Sequence, residues 1–237
     1  RGYEYLNLDA GWQADPPRDE NKNPRVNREK FPDGLEPVGD YVHDRGLKFG
    51  IYARPDYVRG SRLRGMWTGG NEEKWVSAFE RWGVDYLKYD FGEKLSYYHM
   101  AQALQQSSRP IYYNVCEWGH GTPWDWAYHL GAESWRITYD VMDRWYTGVD
   151  QNPVGILDAV EQAEGLGPYA GPGHWNDLDM LTVGLQGGTW AERTHWDETN
   201  PASRVEHRSQ MSLYCLLASP LLIGSDVREL DSYSLET

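Results

Sequence analysis

Val84-Asp85-Tyr86-Leu87-Lys88-Tyr89-Asp90 is an apolar, aromatic run of strand length that ends on a lysine and an aspartate two residues apart. Such a run reads as a buried barrel strand carrying charge to its C-terminal rim, where barrel folds place their chemistry. Successive strand residues point to opposite faces, so Lys88 and Asp90 share one face while Leu87 and Tyr89 occupy the other. A cation that close would hold Asp90 ionised at neutral pH, as a nucleophile or an electrostatic stabiliser must be. The same residues also fit a strand-end ion pair that satisfies only itself.

Working outward, strand patterns recur over Tyr3–Asp9, Lys48–Ala53, Ile111–Trp118, Ser134–Thr138, Gly171–Met180 and Leu221–Asp226. Helical patterns lie between them, over Val38–Asp44, Glu72–Trp82, Ser96–Gln106, Trp124–Leu130, Pro153–Ala163 and Val205–Ala218, while Ala14–Lys30 reads as a polar loop. Strand and helix alternate at barrel spacing without an internal repeat or a low-complexity linker. The expected fold class is therefore α/β, a (β/α)8 TIM barrel forming a single domain over 1–237. With seven strands visible, the chain is expected to be a fragment lacking the first strand and the last helix. No Gly-rich phosphate loop follows the first strand, which argues against an open doubly wound sheet.

The composition narrows the function. A formal charge of −13 disfavours nucleic acid and anionic membrane surfaces, both of which call for clustered Lys and Arg. No apolar stretch approaches the ~20 residues of a membrane span, and the N-terminus, which starts at Arg1, carries no signal-peptide pattern. Twelve Trp and seventeen Tyr supply flat amphipathic rings of the kind that suit sugar faces. Cys116 and Cys215 lie in apolar runs where buried free thiols are expected, so no disulfide framework follows.

Polar residues recur where the strands end: Asp9, Tyr52, Lys88 with Asp90, Glu117, Arg136 with Asp140, Asp179 and Asp226. The rim holds no His and Cys set at metal-ligand spacing and no Ser beside a His, and His174 reads as a loop residue. Paired carboxylates with sugar-friendly rings point to glycoside hydrolysis, in which one carboxylate attacks and the other donates a proton. Asp90 fits the first role. Asp140 fits the second if Trp135, Tyr139 and Trp145 desolvate it, although on the residues alone a turn or helix-cap aspartate is the commoner reading.

Tyr5-Leu6-Asn7-Leu8-Asp9-x-x-Trp12, Phe31-Pro32-Asp33-Gly34-Leu35, Gly46 to Tyr52, Trp82 to Asp90, Cys116-Glu117-Trp118-Gly119, Trp135-Arg136 and Gly171-Pro172-Gly173-x-Trp175-Asn176-Asp177-x-Asp179-Met180-Leu181 together resemble the catalytic barrel of the family 27 glycoside hydrolases. This is the α-galactosidase and α-N-acetylgalactosaminidase group. The resemblance implies Asp90 as nucleophile and Asp140 as acid/base in a retaining mechanism without a cofactor, their carboxyl groups roughly 5 to 6 Å apart. It implies sugar contacts from Asp9, Tyr52, Lys88, Arg136 and Asp179, and places Cys116, Glu117 and Trp118 near the 2-position. The implied partner is an oligosaccharide or glycoside substrate, and family habit implies export. Oligomeric state is not legible.

The departures bear on which sugar is taken. Family members typically carry a second Asp where Ala10 stands, and losing a charged acceptor costs roughly 1.5 to 3 kcal/mol. Gly11 and Gly92 replace common cysteines, and the stretch from Arg54 to Gly70 is Arg-rich. The same chemistry on another sugar, as in isomaltose-releasing dextranases, β-L-arabinopyranosidases or α-N-acetylgalactosaminidases, is one alternative. A non-catalytic sugar-binding barrel is another.

Overall fold

The computed structural model describes residues 2–55, 67–148, 152–185 and 200–237. Most of the Arg-rich stretch between Arg54 and Gly70 lies outside the described residues. The chain divides into two compact units, Arg1–Glu117 with Trp126–Glu133, and Trp118–Asp125 with Ser134–Thr237.

The first unit runs β1 (Tyr5–Leu8), β2 (Gln13–Arg18), β3 (Pro24–Val26), α1 (Glu36–His43), β4 (Lys48–Ala53), α2 (Glu72–Arg81), β5 (Val84–Asp90), α3 (Lys94–Gln105) and β6 (Tyr112–Cys116). Within it β1, β4, β5 and β6 lie side by side in that order, every pairing parallel. Parallel neighbours need crossover connections, and the amphipathic helices supply them. Helix α2 buries Trp75, Val76, Ala78 and Phe79, one stripe at helical spacing, and packs on β5 and α3. Opposite it, Phe49, Ile51, Leu87, Tyr89 and Val115 are buried on one sheet face.

The other sheet face carries the site. A Cβ on Gly50 would come 1.7 Å from Asn7 Oδ1, so only glycine fits between that side chain and Tyr86. Tyr86 stacks on Tyr112 at 5.1 Å and meets Tyr5 edge-on at 6.0 Å, filling this face at the strands' N-terminal end. The C-terminal ends are left for polar groups.

Asp85, on the helix-covered face, ties these layers together by accepting from His43 Nε2 at 2.7 Å, from the Phe49 amide at 2.8 Å and from Arg109. Desolvation alone would raise its pKa, but the hydrogen bonds from His43, Phe49 and Arg109 outweigh it and hold the carboxyl below its ordinary value. Because the folded pKa is depressed, this stabilisation is complete above the unfolded value of about 3.9 and is lost as pH falls through the folded one. In Asp85→Asn the urea-unfolding free energy should therefore decline less steeply than wild type between about pH 4 and pH 2. Identical slopes would contradict this role.

The second unit contains β7 (Ser134–Arg136), α4 (Ile156–Gln162), β8 (Trp175–Asp177) and helices Arg204–Leu216 and Ser232–Glu236; β7 and β8 pair in parallel. Ser203 and Glu206 form a reciprocal cap at the start of helix Arg204–Leu216. The helix then latches onto the segment after β8. Tyr214 Oη donates to Leu178 O at 2.9 Å, Gln210 Oε1 accepts from the Thr182 amide at 2.9 Å, and Ser219 Oγ accepts from the Leu178 amide at 3.0 Å.

Several expectations are corrected. Ala14–Lys30 contains the antiparallel pair β2 and β3, whose turn is closed by Asp19 accepting from the Asn23 amide at 2.8 Å. Trp124–Leu130 resolves into two 3₁₀ turns, Pro123–Asp125 and Ala127–Leu130. Leu221–Asp226 is reduced to a parallel bridge between Leu181 and Ile223. Cys116 is buried, but Cys215 is exposed, because the buried stripe of its helix runs through His207, Gln210 and Tyr214. Among the described residues no helix is long and apolar enough to cross a membrane.

Candidate active site

In the first unit the strand register aligns the candidate residues. Tyr52, Lys88 and Asn114 are lateral neighbours across β4, β5 and β6, and Asp90 pairs with Cys116 one step nearer the C-terminal end. Lys88 Nζ donates to Asp9 Oδ2 at 2.8 Å and lies 5.5 Å from the centre of the Tyr52 ring. Tyr52 Oη donates to Asp90 Oδ2 at 3.0 Å, and the Phe91 amide donates to Asp90 Oδ1 at 2.8 Å. Asp9, Lys88, Tyr52 and Asp90 are thus brought together. Burial above all, and then the Asp90 carboxylate, push the Tyr52 phenol far up, so it remains a donor at any physiological pH.

Tyr52 is itself fixed by rings. Trp12 Nε1 donates to Tyr52 O at 2.8 Å, and Trp67 meets the Tyr52 ring edge-on at 5.7 Å. Trp12 also contacts Trp75 and Trp82, so the load of tryptophan read as sugar-friendly serves, in this cluster, to hold β4 in place. Beyond Asp90 the backbone turns through Phe91 at φ +56°. Tyr97 clamps this turn, accepting from the Gly92 amide at 3.1 Å and donating to Cys116 O at 2.8 Å. Cys116 contributes buried bulk and this carbonyl; Glu117 is half-buried after β6.

In the second unit Arg136 organises the site. Buried at the end of β7, it donates to Asp179 Oδ1 at 2.9 Å and to Asp140 Oδ1 at 3.1 Å. Asp179, at φ +74°, also accepts from the Val141 amide at 2.7 Å through its second oxygen, so its geometry is fully determined. The Asp140 side chain is 37% exposed. Of the rings expected to enclose it, Trp135 is fully buried and donates to Asn176 Oδ1 at 2.8 Å, and Tyr139 and Trp145 pack against the Val141, Val154 and Ile156 cluster. The neighbour that fixes Asp140 is a guanidinium. Trp118, at φ +58°, stands edge-tilted to Tyr139 at 5.8 Å. The following Gly119 is required because a Cβ there would lie 2.4 Å from Ile137 O. His174 sits in the turn bridging back to Gly171, its ring against Trp135.

Asn114 and Tyr97 were not singled out by sequence reasoning. The two-residue alternation that joins Lys88 to Asp90 would have placed Asn114 on the face of Cys116; Tyr97, on a helix, left no comparable signal.

Parallel strands alternating with helices, their C-terminal ends set with carboxylates held by Tyr, Lys and Arg, define a class: the barrels of glycoside hydrolases. The family profile described as Alpha galactosidase A matches residues 1–236, and the chain belongs to this family. It is 39% identical to the α-galactosidase of Cyamopsis tetragonoloba, over 99% of this chain and 53% of that protein. It is 35% identical to α-galactosidase A of Cellvibrio japonicus, over 97% of this chain and 54% of that one. The solved α-galactosidase of Saccharomyces cerevisiae with raffinose superposes with a TM-score of 0.83 at 28% identity, covering 98% of this chain and 53% of that one. The fold is thus the α/β barrel expected. The chain spans about half the length of the curated relatives it matches.

Proposed function

We propose that the protein is a retaining exo-glycosidase that releases terminal α-D-galactosyl residues, with Asp90 as nucleophile and Asp140 as acid/base. The observation that carries the reading is the setting of Asp90, a buried carboxylate at a strand's C-terminal end, with Tyr52 Oη donating to Oδ2 and the Phe91 amide donating to Oδ1. Both donors are neutral groups that stabilise the anion and aim it. Family membership supports the same roles, and relatives are named for α-galactosidase activity.

In the proposed reaction Asp90 attacks the anomeric carbon as the bond to the leaving oxygen breaks, and Asp140 gives that oxygen its proton. Water then attacks the glycosyl ester, losing its proton to Asp140 and freeing Asp90. Arg136 suits this double duty, because a guanidinium stays charged whichever way Asp140 is protonated. Asp9, Lys88, Tyr52, Arg136 and Asp179 are assigned to sugar hydroxyls, with Cys116, Glu117 and Trp118 toward the 2-position. No cofactor enters. The full-length protein should hydrolyse an aryl α-galactoside with the α-anomer of galactose appearing first by NMR; the β-anomer first, or no turnover of any aryl glycoside, would refute this reading.

A further inference from the structure

Three rings of the second unit meet beside the proposed acid. Tyr139 immediately precedes Asp140, while Trp118 and His120 flank the left-handed turn at Gly119, φ +80°. That turn is pressed onto the segment after β7, where a Cβ on Gly119 would lie 2.4 Å from Ile137 O. His120 thereby stands edge-on to Tyr139, with ring centres 5.0 Å apart and planes at 71°, and Trp118 reaches the same ring at 5.8 Å. Trp118 and His120 also meet each other, at 6.4 Å.

These rings are not core. His120 is exposed and Tyr139 only half-buried. Tyr139 is nonetheless held, because it packs against the Val141, Val154 and Ile156 cluster and meets the two other rings. An aromatic surface that is both fixed and part-exposed loses little side-chain freedom when something stacks on it. Position decides what that is. A general acid gives its proton to the glycosidic oxygen, the atom that joins the terminal sugar to its leaving group, so the groups flanking the acid border the leaving group. The Asp140 side chain is 37% exposed, which leaves it open to such a group.

We infer that Tyr139 and His120, backed by Trp118, form a stacking platform for the leaving group, and that the leaving group it takes is a second hexopyranose. The inference rests on the glycosidase reading for the role of Asp140 and deepens it by naming the substrate class, an oligosaccharide rather than the glycoside of a small alcohol. The apolar C–H face of a pyranose covers an aromatic ring, whereas a methyl group reaches little of it.

Kinetics of the full-length protein on α-galactosyl-(1→6)-glucose and on methyl α-galactoside test it. Both leaving groups are alkoxides that need the proton of Asp140, but only the first carries a ring. Tyr139→Ala should lower kcat/KM on the disaccharide by about fivefold or more, the scale of one aromatic stacking contact, and change the methyl glycoside less than about twofold. The loss should fall on KM, and Tyr139→Phe, which keeps the ring, should restore it. His120→Ala, on an exposed side chain that does not threaten the fold, should show the same split. Equal losses on the two glycosides would mean that Tyr139 only positions Asp140, and an unchanged disaccharide would mean that nothing stacks there; either overturns the proposal. If the wild type cleaves neither glycoside, the glycosidase reading fails and calorimetry decides the platform by itself. The disaccharide should then bind about fivefold or more tightly than the methyl glycoside, an advantage that Tyr139→Ala removes, and equal affinities would overturn it.

Discussion

Asp90→Asn in the full-length protein should lower kcat on an aryl α-galactoside by roughly 10⁴-fold or more, the scale on which removing one member of a covalent catalytic unit is felt. The substitution keeps the shape and one carbonyl oxygen. Tyr52 Oη or the Phe91 amide still finds an acceptor, so the loss should come from nucleophilicity rather than from collapse of the strand end. Stability should confirm this, with an unfolding midpoint close to wild type. Wild-type turnover in Asp90→Asn would remove the residue from the mechanism.

Asp140→Ala should show a loss that depends on the leaving group. Glycosides with poor leaving groups, such as raffinose-type oligosaccharides, need a proton as the bond breaks and should slow by about 10² to 10⁴-fold. Aryl glycosides with acidic phenols need little help in the first step and should slow far less. Arg136 must also be considered, since removing Asp140 takes away one of the carboxylates that this buried guanidinium meets. Asp140→Asn, which keeps a hydrogen-bond acceptor, separates the two effects: an equal leaving-group dependence in both variants assigns it to the lost proton. A uniform loss across leaving groups would contradict the acid/base role.

The fold was legible where pattern and burial agree. Val84–Asp90 and Lys48–Ala53 are strands with the bounds read from their apolar runs, because both lie in the middle of the parallel layer and pair on both sides. Leu221–Asp226 has the same apolar look and forms only a bridge, and of Ser134–Thr138 only Ser134–Arg136 is a strand, since pairing length depends on partners the local pattern does not encode. The site was legible as residue types at strand ends. Its wiring was not. Lys88 was read as the neighbour of Asp90; that Lys88 pairs with Asp9, and that Tyr52 and the Phe91 amide donate to Asp90, was not readable from spacing. Contacts that span 79 residues, as this pair does, follow from strand register and not from spacing. Asp140 shows the same limit, since its setting is decided by Arg136, four residues earlier, rather than by the aromatic side chains that flank it in sequence.

The most direct measurement of the central claim is to trap the reaction halfway. A 2-deoxy-2-fluoro-α-galactosyl fluoride, or its 5-fluoro counterpart, should inactivate the full-length protein and leave one glycosyl ester, located by peptide mass spectrometry on Asp90. An ester on any other carboxylate, or rapid hydrolysis of an aryl α-galactoside that never yields an adduct and gives the β-anomer of galactose first, would contradict the assignment of Asp90 as nucleophile.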